Sequence, residues 1–191
     1  MRHMIRFGAL ALFLAIPYSM GAQLRGPQLA FGGGLGSGST SCTECFATSE
    51  GGRGGFVQLD VPLDRTSRIG VQWDRWRGRE VADGGRSDFV LLMTEHRVPG
   101  GRFFFKLGAG YGSTHHYLRR LTAAPVLIER AGFAYQSGLG YDVLSFAHVA
   151  VAPYVQGTAL LNGRGRVDGI HSEEVSFSMT ALQYGIAMRA R

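Results

Sequence analysis

The stretch Arg102–Ser113, with the sequence RFFFKLGAGYGS, shows most clearly the pattern from which the fold is predicted. Every second residue from Phe103 to Tyr111 is apolar or aromatic, whereas Lys106 and the glycines that follow it occupy the positions between them. Alternation with a period of two is typical of a β-strand whose two faces meet different surroundings. One face of this strand therefore needs large apolar groups, and the other carries mostly glycine.

The same alternation recurs in seven further stretches, each of about the length that a tilted membrane strand requires. In the last stretch the apolar phase slips near Ala181, which predicts a bulge. The eight predicted strands are Pro27–Gly38, Gly55–Leu63, Arg68–Gly78, Ser87–Arg97, Arg102–Ser113, Arg130–Asp142, His148–Leu161 and Glu173–Arg189.

The links between these strands alternate between long and short. Long or medium links follow the odd-numbered strands, at Ser39–Gly54, Arg79–Arg86, Thr114–Glu129 and Asn162–Ser172, and short links follow the others, at Asp64–Ser67, Val98–Gly101 and Val143–Ala147. An up-and-down barrel in an outer membrane has short periplasmic turns and longer outward loops. The sequence therefore predicts an all-β, eight-stranded antiparallel up-and-down transmembrane β-barrel.

Composition excludes several other classes of protein. The 191 residues include 29 Gly, 45% are hydrophobic and 18% are charged, which is too apolar for a disordered chain. No segment after the first 22 residues is a long uncharged apolar run, so transmembrane helices are not predicted. The net charge of +6 forms no lysine and arginine stripe of the kind that binds nucleic acid, and no nucleic-acid partner is predicted.

The N-terminal segment has the three parts of a secretory signal peptide. Met1–Arg6 is basic, Phe7–Ile16 is apolar, and small residues lead to Ala22. We expect residues 1–22 to be removed after export and residues 23–191 to form the barrel domain.

On these features the chain resembles the small outer-membrane β-barrel proteins of Gram-negative bacteria, similar to the membrane domains of outer-membrane proteins A and X. The resemblance covers about Leu24–Arg191, and aromatic residues such as Phe103 and Phe133 lie near strand ends as an interfacial girdle requires. It implies a cell outer-membrane location, with lipid and lipopolysaccharide as neighbours. Two departures are Pro153 within a strand and an end at Arg191 where such barrels usually have an aromatic residue.

The predicted inward face carries a set of polar residues. We expect a lumen network of ion pairs and hydrogen bonds, because a charge left unpaired in a barrel interior is strongly destabilising. The alternative is a narrow ion path of porin-like character. The predicted network comprises Asp60, Asp74, Lys106, Gln136 and Gln156.

Cysteines and arginines of the predicted long links give further candidates. In an exported chain Cys42 and Cys45 are expected to form a local disulfide, and the alternative is a zinc site with His115 and His116. Arginine pairs well with phosphate, so four loop arginines are predicted to contact lipopolysaccharide, the alternative being a solvated basic loop. They are Arg119, Arg120, Arg164 and Arg166.

The function that these patterns favour is a structural or surface-interaction role for a monomeric barrel with a filled interior. No metal, cofactor or catalytic site is predicted. The first alternative is a lipid A-modifying enzyme on the same scaffold, in which Ser113 or Ser172 would act with His115 and Glu173. The second is a soluble lipocalin-like barrel, although the large apolar residues on one face of each strand would aggregate in water.

Overall fold

The computed structural model describes residues 26–42, 45–78, 85–118, 126–146, 149–167, 170–172 and 177–190. These described residues form eight long strands and two short ones. The long strands are β1 (Gln28–Cys42), β2 (Cys45–Pro62), β3 (Ser67–Gly78), β4 (Arg86–Arg97), β5 (Phe103–Leu118), β6 (Val126–Tyr141), β8 (Val149–Val167) and β10 (Phe177–Ala190); the short ones are β7 (Leu144–Ser145) and β9 (Ile170–Ser172).

The long strands close into a barrel. Each strand from β1 to β6 pairs antiparallel with the next, β6 pairs with β8, and β8 pairs with β10. Pairing of β10 with β1 completes the ring, from Leu29 opposite Ala190 to Cys42 opposite Phe177. The predicted eight-stranded antiparallel up-and-down barrel is confirmed, and closure leaves every long strand with two neighbours.

The two faces of the wall differ as the alternation predicts. Large hydrophobic side chains on the outward face are 40% to 65% exposed, among them Phe31, Phe103, Leu139 and Ile186. Inward residues on the same strands are buried. Among the described residues there is no helix long and apolar enough to cross a membrane.

The two ends of the barrel differ in their connections. At the end that we call the turn end, residues 63–66 link β2 to β3 and residues 98–102 link β4 to β5. At the opposite end, the loop end, the ladders extend far beyond the predicted strands. The predicted link Ser39–Gly54 is wrong for most of its length, because β1 and β2 stay paired up to Cys42 opposite Cys45. Backbone pairing of this kind does not need apolar side chains.

Two local predictions are settled by the register. The bulge expected near Ala181 is wrong, because β10 pairs with β1 without a shift; Met179 points inward instead and is 1% exposed. Pro153 lies where the ladder between β6 and β8 stops, after Gly140 opposite Tyr154, and β7 resumes pairing only at Val151. A proline is tolerated there because that side of β8 has no partner awaiting its missing N–H.

Candidate functional site

The interior at the turn end is a cluster of charged side chains. Glu95 is 2% exposed, and its Oε1 forms ion pairs at 3.1 Å with Arg97 Nη2 and with Arg189 Nη1. Asp142 lies on the other side of the same arginines, 2.6 Å from Arg97 Nη1 and 3.6 Å from Arg189 Nη1. Phe104 covers the group, with the Arg189 guanidinium 3.5 Å from its ring centroid. Each charge is therefore compensated where water is excluded.

A second chain of contacts continues this cluster toward the middle of the barrel. Asp60 accepts from Arg68 Nη1 at 2.9 Å and from Gln58 Nε2 at 3.1 Å. Lys106 Nζ donates to Gln58 Oε1 at 2.5 Å and lies 4.5 Å from the Phe56 ring centroid. The amide of Gln58 thus bridges Lys106 to Asp60, and no direct ion pair joins these two residues in the described structure.

Asp74 lies at the centre of the barrel and is surrounded by glutamines. Its Oδ2 accepts from Gln156 at 2.5 Å, from Gln136 at 2.8 Å and from Gln72 at 3.3 Å. Gln183 donates to the other oxygen at 3.3 Å. Four carboxamides from four strands therefore replace the water that a carboxylate would otherwise require.

The acidic and basic side chains of these two levels balance. Among the described residues of the charged cluster and of the central glutamine level, four acids face four bases, so the interior has no net charge there. The acids are Asp60, Asp74, Glu95 and Asp142, and the bases are Arg68, Arg97, Lys106 and Arg189.

An apolar layer lies on the loop-end side of the Asp74 level, and the buried polar residues Ser87, Thr114 and Arg130 border it. Trp76, Phe89, Leu91 and Met93 are at most 1% exposed and pack with side chains of β6, β8 and β10. The other members of this apolar cluster are Ala134, Leu160, Met179 and Ala181. These side chains fill this level of the barrel and are at most 3% exposed, as in the core of a soluble protein.

Glycine makes room for these large interior groups. A Cβ on Gly112 would lie 2.5 Å from Phe89 Cδ1, and one on Gly38 would lie 2.7 Å from the Trp76 ring. Gly108, which the sequence placed inward, lies against Met93, and Gly140 lies against Phe104. A narrow barrel can hold large side chains only where the facing strands lack them.

Direct contacts join opposite walls of the barrel at three heights. In the ring of eight strands, β4 lies opposite β10, and β3 lies opposite β8. Glu95 meets Arg189 at 3.1 Å near the turn end, and Asp74 meets Gln156 at 2.5 Å in the middle. Toward the loop end the Ser87 hydroxyl donates to Met179 Sδ at 2.9 Å. Side chains thus span the full diameter of the interior at each of these levels.

The other predicted site residues fall mostly outside what the structure describes. Arg119 and Arg120 lie outside the described residues, and of Arg164 and Arg166 only the backbone in β8 is described. Cys42 and Cys45 are register partners at the tip of the β1–β2 hairpin, but their side chains are outside the described part. The disulfide and the lipopolysaccharide contacts therefore stay predictions.

The histidine that the enzyme alternative invokes has an acidic neighbour. His115 Nδ1 lies 3.2 Å from Glu129 Oε1, and both side chains are more than two-fifths exposed. Within the described part of the chain Ser113 has no hydrogen bond to His115, and Glu173 is not described. The described residues hold no group of three or more potential metal ligands.

Sequence reasoning did not single out most of the charged cluster. Glu95, Arg97, Asp142 and Arg189 were not among the predicted network residues, although each lies buried or half-buried at the turn end. The sequence does contain a signal, namely the alternation of inward and outward positions along each strand. Arg189 is six residues from the buried Gln183, and an even spacing puts both side chains on one face. Extending the inward phase to the strand ends would have found it.

The fold and this filled interior define a small eight-stranded β-barrel of the outer-membrane type. Among solved structures, the chain is similar to Neisserial surface protein A (NspA), with a TM-score of 0.56 and 11% identity over 88% of this chain and 99% of that one. It is similar also to Ail, the attachment invasion locus protein of Yersinia pestis, with a TM-score of 0.57 and 9% identity over 86% of this chain and 99% of that one. No protein-family model and no curated protein matches the sequence.

Proposed function

We propose that this protein is a monomeric outer-membrane barrel with a closed interior, whose loop-end hairpins act as an interaction surface on the cell. The observation that carries the proposal is the set of three contacts between opposite walls, at Glu95–Arg189, Asp74–Gln156 and Ser87–Met179. Side chains that cross the interior at three heights obstruct a water path for a solute and so support a closed interior. This favours a scaffold over a narrow channel.

The outward face supports placement in a membrane. Leucine, valine and aromatic side chains cover it, and in water such a surface would promote aggregation. In outer-membrane barrels the short turns face the periplasm, so the loop end would face outward. Residues 1–22 would be removed after export, as the N-terminal sequence predicts.

An anionic ligand is the class of partner that the loop end favours. Arg119, Arg120, Arg164 and Arg166 remain predicted contacts for lipopolysaccharide phosphate. Ail, a fold neighbour, has been crystallised with the heparin analogue sucrose octasulfate, which is itself a polyanion. A hairpin tip closed by a Cys42–Cys45 disulfide would hold part of this surface in shape.

Enzymatic modification of lipid A is the second candidate, favoured by the contact between His115 and Glu129. Within the described part of the chain Ser113 makes no hydrogen bond to His115, and this weighs against the enzyme, because a hydrolase needs its nucleophile within hydrogen-bond reach of the base. Mass spectrometry of lipid A from cells with and without the protein separates the two candidates. Our proposal expects identical lipid A species, whereas a lost acyl chain that depends on His115 would establish the enzyme.

Cell fractionation with gel migration tests the placement. We expect the protein in the outer-membrane fraction, and we expect it to migrate differently before and after boiling because a closed barrel resists detergent. Recovery in the soluble periplasmic fraction would contradict the proposal and favour the lipocalin-like alternative.

A further inference from the structure

The outer wall carries an arginine patch at the upper edge of its apolar band. Outward residues of β3 run from Ile69 through Trp73 and then change to Arg75 and Arg77. We call Arg53, Arg75, Arg77, Arg86 and Asp88 the wall patch. On β4 the change from aliphatic to charged side chains occurs opposite Arg75, at Asp88, and on β2 it occurs opposite Arg77, at Arg53.

The wall patch places like charges side by side. Arg53 is the register partner of Arg77, and Arg77 is the partner of Arg86. Asp88 is the single acid of the patch, and it binds Arg75 at 2.6 Å and Arg86 at 2.7 Å. Four arginines and one aspartate leave a net charge of +3. Because like charges on adjacent strands repel, the array is unfavourable until an anion lies over it.

A groove adjoins the wall patch on its membrane side. It has a volume of about 680 Å³ and is lined by Leu35, Val57, Trp73 and glycines of β1 and β2, with Arg53, Arg75 and Arg77 at its rim. Gly55 belongs to this lining, and its register partner Gly33 on β1 lies next to it on the outer wall. Arg75 is fixed at the rim, because its guanidinium lies 4.6 Å from the Trp73 ring centroid.

The arginines of the wall patch and the apolar groove together favour one kind of ligand. Guanidinium groups bind phosphate oxygens through charge-assisted hydrogen bonds, and a smooth apolar groove holds an acyl chain. We propose that the wall patch and its groove bind a phosphorylated glycolipid of the outer leaflet, the lipid A part of lipopolysaccharide. Its phosphate lies on Arg53 and Arg77, and one acyl chain lies between Leu35 and Trp73. This inference rests on the proposed function, since it requires the loop end to face outward.

The outer wall at the same height elsewhere is different. On β5 and β6 the corresponding outward residues are Ser113, Ala131 and the contacting pair His115 and Glu129. On β10 they are Ser178 and Thr180. Among the outward side chains that the structure describes at this height, the arginines lie on β2–β4, whereas the side chains of Arg164 and Arg166 on β8 are outside the described part.

Native mass spectrometry of the full barrel in neutral detergent tests the proposal with three probes: diphosphorylated lipid A, the same lipid after phosphatase treatment, and phosphatidylglycerol. We expect a stoichiometric complex with the first probe only. Arg53→Gln with Arg77→Gln should weaken it by about tenfold or more, a loss typical of removing charge-assisted contacts. The matched control is Arg65→Gln with Arg102→Gln, which removes two exposed arginines at the turn end.

The groove is tested separately by Gly33→Leu. A Cβ on Gly33 meets only Gly54 O, at 3.7 Å, so the variant should fold while filling the groove. We expect weaker binding of diphosphorylated lipid A and unchanged binding of glucosamine phosphate, which has no acyl chain. Equal binding of dephosphorylated lipid A or phosphatidylglycerol, or equal weakening by the turn-end control, would overturn the proposal. A conducting barrel would instead contradict the proposed function, so the two failures are distinguishable.

Discussion

The two halves of the barrel interior are filled by opposite chemistry. Toward the loop end, Trp76, Phe89 and Leu160 form an apolar plug that resembles a soluble core. Toward the turn end, Glu95, Arg97 and Arg189 form a compensated ionic cluster. Both halves exclude water, but different interactions stabilise them. The apolar half is stabilised by close packing, whereas the charged half is stable only while every charge keeps its partner.

The interior of this narrow barrel is thus filled in two different ways. Apolar side chains tolerate imperfect geometry, whereas ion pairs fix the distance between opposite walls and hence the strand register. The Asp74 level lies between the halves and uses neutral carboxamides to hold a charge. Each half should therefore fail in its own way when it is altered.

The largest effect is expected in the apolar half. Trp76→Ala should lower the free energy of unfolding by about 3–5 kcal/mol, because it removes a large buried side chain and leaves a cavity. Urea titration in detergent micelles, followed by gel migration, measures it. Trp73→Ala is the matched control, since Trp73 lies on the same strand but is 43% exposed on the outer wall. An equal loss in both variants would refute the packed interior.

The charged half should respond less strongly to loss of one partner. Glu95→Gln leaves Arg97 and Arg189 with Asp142 alone, so we expect a loss of roughly 2–3 kcal/mol. High salt should change this loss little, because buried pairs are poorly screened. The control is Glu129→Gln, at a carboxylate that is 44% exposed. A loss that disappears in 1 M salt would show that the cluster is open to solvent.

Substitution of an inward glycine tests how closely the apolar half is packed. Gly112→Ala places a Cβ 2.5 Å from Phe89 and should cost about 1–2 kcal/mol through overpacking of the apolar half. Combining it with Phe89→Leu should restore part of the stability. Gly157→Ala, where a Cβ meets nothing within 4 Å, is the control and should be close to neutral. If the added Phe89→Leu change only lowers stability further, crowding is not the cause.

The smallest effect concerns a single turn at the turn end. Asp64 Oδ1 accepts from the backbone N–H of Thr66 at 2.6 Å and of Ser67 at 2.8 Å, and these bonds lower its pKa from 3.8 to about 2. Because the folded pKa is depressed, the stabilisation is present above pH 3.8 and is lost as pH falls toward 2. Asp64→Asn should shift the urea midpoint slightly at pH 7 and not at pH 2. A shift that persists at pH 2 would contradict this.

The sequence was a sufficient guide to the wall but not to the interior. Period-two alternation found all eight long strands, because lipid contact and interior contact impose different residues on alternate positions. It also put Asp60, Asp74 and Gln156 on the inward face, where the structure has them. The strand ends were misjudged, because glycine, serine and threonine in Ser39–Gly54 carry no alternation although their backbones stay paired.

The apolar plug was the part that the sequence hid. In β4 both Leu91 and Leu92 are apolar, yet Leu91 is fully buried and Leu92 is 54% exposed on the outer wall. Periodicity does not distinguish an interior apolar residue from a lipid-facing one, and the same ambiguity at Met179 produced the false bulge in β10. Whether such a residue faces the interior is known only from its contacts across the barrel, and these contacts depend on how the ring of strands closes.

Conductance in a planar bilayer tests the central claim, a closed interior, most directly. We predict that the purified barrel shows no stable conductance steps, and that removing a diameter-spanning contact in each half, with Glu95→Ala and Met179→Ala together, produces small, flickering steps at most. A stable, large single-channel conductance in the unaltered protein would contradict the account.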